Sequence, residues 1–110
     1  MIISEISKEN LEEIQKQFDI YQKQNFPERS PEFFCLELNG EAGELANLEK
    51  KKWKGKNIDL NDIADEAADV LIALMNYSNS RGINLGDAVA KKLIKIEEKR
   101  VFLKDKGEEY

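Results

Sequence analysis

The stretch Asp65-Glu66-Ala67-Ala68-Asp69-Val70-Leu71-Ile72-Ala73-Leu74-Met75 decides how this chain is read. Asp69 is the only polar residue between Ala67 and Met75, and Glu66 stands three positions before it. On a helix that spacing points both carboxylates to one face, amid apolar neighbours. The pattern has a partner upstream. Glu41-Ala42-Gly43-Glu44 repeats the spacing, and Glu41 falls in a stripe with Phe34, Leu38, Leu45 and Leu48, at intervals of four and three. An unpaired carboxylate is expensive to bury, so a folded chain keeps one inside only when something cationic compensates it. Four converging carboxylates, Glu41, Glu44, Glu66 and Asp69, with no His or second Cys to join them, suggest a hard ion, Mg²⁺ or Mn²⁺.

Working outward, the apolar periodicity is helical along the whole chain and no period-two strand stands out. The spacing predicts a first helix from about Lys8 to Gln24, with Ser7 as its N-cap and Leu11, Ile14, Phe18 and Tyr21 facing inward. Ser30-Pro31 starts the second helix, with the hydroxyl as cap and Pro at the first helical position. It runs to about Lys52 and carries Gly40 and Gly43, whose use inside a helix calls for close approach by another backbone or a ligand. A turn over Lys54-Gly55-Lys56-Asn57 leads to Asp59 or Asn61 as the next cap. The third helix spans about Leu60 to Ser80, with Gly82 as its C′ residue. Asn84-Leu85-Gly86-Asp87 resembles a capping box, and the fourth helix follows with Val89, Leu93, Ile96 and Leu103 inward. The expected fold is all-α: four main helices in an antiparallel bundle, one domain over residues 1–110, with residues 1–6 and 104–110 fraying.

Composition bounds the function. The 17 basic and 22 acidic residues leave a net charge of −5, which argues against a partner that is a nucleic-acid polymer. No apolar run is long enough to span a membrane, and the first residues lack the basic and apolar regions of a signal peptide. Cys35 is the single cysteine, so no intramolecular disulfide forms and a reducing cytoplasm is the expected setting. The absence of His removes Ser-His-Asp and Cys-His catalysis, His-based zinc sites and Glu-x-x-His di-iron sites. A domain of this size buries only about two-thirds of its unfolded surface, so pairing with a copy of itself is the expected way to complete the core.

One acid-x-x-acid pair means little, since roughly four are expected by chance at this acid content, and Asp62-x-x-Asp65 is another. The two pairs singled out differ in being flanked by apolar residues on consecutive helices joined by a short turn. Antiparallel packing would bring them together. Lysines gather nearby in sequence: Lys50, Lys51, Lys52, Lys54 and Lys56 follow the first pair, and Lys91, Lys92, Lys95, Lys99 and Arg100 line the fourth helix. For most of them a solvated helix face is sufficient explanation. One or two near the carboxylates could hold a triphosphate whose charge the metal also neutralises.

Leu38-Asn39-Gly40-Glu41-Ala42-Gly43-Glu44-Leu45-Ala46, Asp65 to Ile72, Gly82-Ile83-Asn84-Leu85 and Lys92 to Arg100, taken in that order, resemble the MazG-like all-α nucleoside triphosphate pyrophosphohydrolases. The resemblance spans about residues 26 to 103. It implies a helical fold that dimerises or tetramerises, Mg²⁺ on Glu41, Glu44, Glu66 and Asp69, and hydrolysis of an NTP or dNTP to the monophosphate and pyrophosphate. It implies phosphate binding for Lys92 and Arg100. The chain departs from the pattern at Gly40, where many members carry a further Glu; Glu37, one turn upstream, is a candidate substitute. Some members that hydrolyse pyrimidine dNTPs place Trp where this chain has Lys51, and Trp53 lies two residues later.

Glu41 is the choice for general base, because its apolar stripe would raise its proton affinity. Candidates for a base pocket are Phe26 and Trp53, with Phe33, Phe34 and Tyr77 behind them; Trp53 could equally cover an oligomer contact. Two other readings stay open. One is a non-catalytic helical assembly protein with a solvated acidic face. The other is a pyrophosphohydrolase of a different phosphorylated metabolite, such as a phosphoribosyl-ATP.

Overall fold

The computed structural model describes residues 1–110 as four helices and no strand: α1 (Ile2–Asn25), α2 (Pro31–Trp53), α3 (Leu60–Ser80) and α4 (Leu85–Asp105). The stop and start signals act as expected. The Ser30 side chain accepts a hydrogen bond from the Phe33 N–H at 3.2 Å, and the Asp59 carboxylate, not Asn61, caps α3 by accepting from Asn61 N–H at 2.9 Å. Asn84 caps α4 through the Asp87 N–H at 3.0 Å. Gly55 and Gly82 take the left-handed backbone, at φ 88° and 67°, that ends α2 and α3.

The start of α1 differs from expectation. The helix begins at Ile2, so Ser7 lies inside it and caps nothing. No Gly or Pro interrupts residues 2–8, and the Ser4 hydroxyl, instead of competing with the helix, bonds back to the Met1 carbonyl at 2.7 Å. The inward stripe is also turned. Leu11 and Phe18 are half-buried, but Ile14 and Tyr21 are largely exposed and Gln15 is buried in their place.

The chain divides into two compact units. The first comprises Met1–Phe18 and Ile83–Tyr110. Gln15 explains its own burial here. Its amide nitrogen donates to the Ile83 carbonyl at 2.6 Å, and its oxygen accepts from the Leu85 N–H at 2.8 Å, so it satisfies the backbone where α4 begins. Gly86 is buried beside it. A Cβ there would meet the Lys8 carbonyl oxygen, the Glu12 nitrogen at 2.9 Å and the Ser7 oxygen at 3.0 Å. Close backbone approach therefore falls on Gly86. Nothing in the chain comes within 4 Å of a Cβ placed on Gly40 or Gly43.

The second unit is Asp19–Gly82. Here α2 packs on α3. The two run antiparallel: Glu32 near the start of α2 pairs with Arg81 just beyond α3 at 3.6 Å, and Glu41 in mid-α2 meets Glu66 and Asp69 in mid-α3. The α2 stripe of Phe34, Leu38, Glu41, Leu45 and Leu48 is buried or half-buried throughout. On α3 the matching face holds Ile63, Glu66, Val70, Ala73 and Tyr77. The apolar core is thin. Phe34, Ala73 and Met75 are the buried apolar residues of this unit, while Leu36, Leu60, Leu71 and Ile72 remain exposed.

The Gly86 contact generates a test. Gly86→Ala should lower the thermal midpoint by several degrees, since overpacking against rigid backbone costs about 1–3 kcal/mol. An unchanged or raised midpoint in circular dichroism melts would remove the close approach of α1 and α4.

Candidate metal centre

The sequence folds so that one turn of α2 faces one turn of α3, and each turn presents acids. Carboxylate oxygens of Glu41, Glu66 and Asp69 all lie within 4.8 Å of one another, and all three residues are half-buried. Glu44 is exposed and stands outside this trio, but close enough to Glu66 to act on its proton affinity. Glu37, Asp62 and Asp65 are exposed and do not join the cluster.

Acids at a protein surface often gather without purpose. Two atoms set this group apart. Glu41 Oε2 and Glu66 Oε2 are closed off from water and accept no hydrogen bond. A carboxylate oxygen in that state lacks the compensation a folded chain normally supplies, and it is satisfied only by a proton or a cation. The proton affinities agree. Burial pushes the Glu66 carboxyl up to about 7, and the neighbouring Glu44 and then Glu41 carboxylates add to the effect. Burial likewise raises Glu41, with repulsion from Glu44 and Asp69 behind it. All the donors are hard carboxylate oxygens, so the residues fit a hard divalent cation and not a soft one.

The other residues the sequence singled out are not part of this acid trio. Lys92 and Arg100 are exposed on α4, and Arg100 Nε is held by Glu97 Oε2 at 3.0 Å. Trp53 ends α2 at 87% exposure. A cavity of about 340 Å³ within the second unit is walled by Phe26, Phe34, Gln22, Asn76, Asn79 and Ser80, with Asp19, Lys23, Glu28 and Arg29 among the charged groups around it. The polar members of that wall drew no notice in the sequence. Asn76 stands seven residues after Asp69, on the same helical face, and that spacing was the available signal.

The fold and the cluster define an all-α protein with an acidic centre able to hold a metal ion. The MazG nucleotide pyrophosphohydrolase domain model matches residues 29–102, which span α2, α3 and most of α4. The chain belongs to that family. Neither the curated proteins nor the solved structures compared with it give a match. No helix is long and apolar enough to cross a membrane.

The raised Glu66 carboxyl fixes a pH dependence. Between 4.5, its ordinary value, and about 7 the folded chain binds a proton that the unfolded chain has released. Stability in EDTA should therefore fall as pH rises through that window, and Glu66→Gln should flatten the fall. Mg²⁺ or Mn²⁺ competes with the proton, so either ion should raise the thermal midpoint more at pH 8 than at pH 6. A shift no larger than that given by equal ionic strength of Na⁺ would count against a metal centre.

Proposed function

We propose that this chain is a Mg²⁺-dependent nucleoside triphosphate pyrophosphohydrolase, converting an NTP or dNTP and water to the monophosphate and pyrophosphate, in the service of nucleotide-pool control. The observation that carries the reading is the pair of orphaned oxygens, Glu41 Oε2 and Glu66 Oε2, facing a third carboxylate in a chain of this family. Glu41, Glu66 and Asp69 would hold the ion, with Glu44 reaching it from the rim. When bound, the ion neutralises triphosphate charge and lowers the pKa of water in its shell.

The chain's own residues divide the remaining work. Glu41 serves as general base, taking the proton of the water that attacks the α phosphorus atom. Burial raises its proton affinity above that of an ordinary glutamate, which favours this role. Pyrophosphate leaves as the α–β anhydride breaks. For Lys92 and Arg100 the proposed role is phosphate contact, and it rests on the family pattern alone. Phe26, on the wall of the cavity, is the better supported of the two base-pocket candidates. Trp53, with its 87% exposure, suits an oligomer contact.

The active form is proposed to be a homodimer or homotetramer of one MazG-like domain per chain. The thin core and the exposed Leu36, Leu60, Leu71 and Ile72 support this, because a chain of this size seldom leaves so many large apolar side chains in water without a partner. Light scattering should return two or four times the 12.7 kDa chain mass, and a monomer at micromolar concentration would end the oligomer reading.

Catalysis is tested by incubating the protein with Mg²⁺ and a panel of NTPs and dNTPs, following pyrophosphate and monophosphate. Glu41→Gln and Asp69→Asn should each abolish turnover with helicity retained in circular dichroism. Release of inorganic phosphate instead, or turnover confined to a phosphoribosyl-ATP, would replace the substrate assignment.

A further inference from the structure

Asn76 is the most unexpected side chain in the second unit. It is 8% exposed and it lines the 340 Å³ cavity. An asparagine amide offers both a hydrogen-bond donor and an acceptor. Neighbouring polar groups find partners: the Ser80 hydroxyl donates to the Tyr77 carbonyl at 2.6 Å, and Lys23 pairs with Asp19 at 2.8 Å. Among the polar residues on the wall, Asn76 is the one that is buried.

The position of the cavity indicates what that is. Phe34 precedes Glu41 by seven residues on α2, and Asn76 follows Asp69 by seven on α3. Because the helices are antiparallel, both displacements run the same way. The cavity thus lies two helical turns, about 10 Å, from the acid cluster, on the same packed faces. A ribose and its phosphates bridge such a span. The wall combines apolar surface from Phe26, Pro27 and Phe34 with polar side chains able to hydrogen-bond a ligand.

We propose that this cavity is the nucleobase subsite and that Asn76 is the residue that selects the base, its amide donating to and accepting from adjacent groups on one edge of the ring. This inference rests on the nucleotide reading above, and it adds the residue that discriminates among substrates. Phe34 and Phe26 supply the apolar contact for the ring, and the Asp19–Lys23 pair keeps charged groups compensated around it. Loss of the Asn76 amide should therefore erase discrimination between bases and leave the chemistry at the acid cluster untouched.

The test uses the full chain and two separate readouts. In EDTA, calorimetric titration with the nucleoside monophosphates should show one base bound at least about ten-fold tighter than the others. Asn76→Ala should remove that preference, and the isosteric Asn76→Asp, which replaces the donor by an acceptor, should weaken the same base or shift the preference to another. With Mg²⁺, KM for the preferred triphosphate should rise about ten-fold in Asn76→Ala. Turnover of a ribose triphosphate lacking a base should stay at the wild-type rate. Circular dichroism melts of both variants report folding, and Asn76→Asp keeps the test alive if the Ala variant unfolds. Base preference unchanged in a folded Asn76 variant, or no preference in the wild type, overturns the assignment. Selective monophosphate binding without pyrophosphate release from any triphosphate would sink the catalytic reading and spare the subsite.

Discussion

Carboxylates pressed together between α2 and α3 are the constraint around which the second unit is organised. Glu41, Glu66 and Asp69 bring oxygens within 4.8 Å of one another on faces that otherwise carry the packing of the two helices. Without compensation, like charges at that separation push the helices apart, and the chain answers in part by keeping protons. Burial and the neighbouring acids hold Glu66 near 7 and raise Glu41. A divalent cation answers the same repulsion without a proton, and it leaves both carboxylates available as ligands. Metal, proton and helix packing are therefore three sides of one balance.

The same faces carry the rest of the unit. Phe34 and Ala73, both buried, sit on the stripes that hold Glu41 and Glu66, so the interface that crowds the acids also fixes them. Two turns along, those faces open into the cavity with Phe26, Phe34 and Asn76 on its wall. One helix pair thus presents a charged centre and, at a fixed distance, a mainly apolar recess. That division suits a ligand with a phosphate end and a ring end. Leu36, Leu71 and Ile72 on these helices stay exposed.

Much of this was legible in the residues because it depended on local spacing. The Ser30-Pro31 start, the Asn84 cap and the Gly82 stop each act over a few positions, and each is found where the sequence places it. The pairing of Glu41 with Glu66 and Asp69 followed from two i,i+3 motifs on consecutive helices, since a short turn leaves antiparallel packing as the simple solution. Ser7 failed as a cap because nothing before it halts a helix, and a cap residue cannot end what the chain is free to continue. Gln15 displaced Ile14 from the inward face for a reason no periodicity contains: its partners, Ile83 and Leu85, lie 68 and 70 residues away.

The sequence alone determined the helices, their order, and the two acidic turns, because periodicity, caps and motif spacing are properties of neighbouring residues. Only the tertiary structure decided that Gly86, and not Gly40 or Gly43, is where backbones meet, since close approach depends on which helices lie side by side. It alone set Glu44 at the rim and closed Glu41 Oε2 and Glu66 Oε2 from water, because burial is a property of everything packed around an atom. Asn76 belongs to the same class. Nothing in its neighbours foretells an amide held inside the fold on the wall of a cavity.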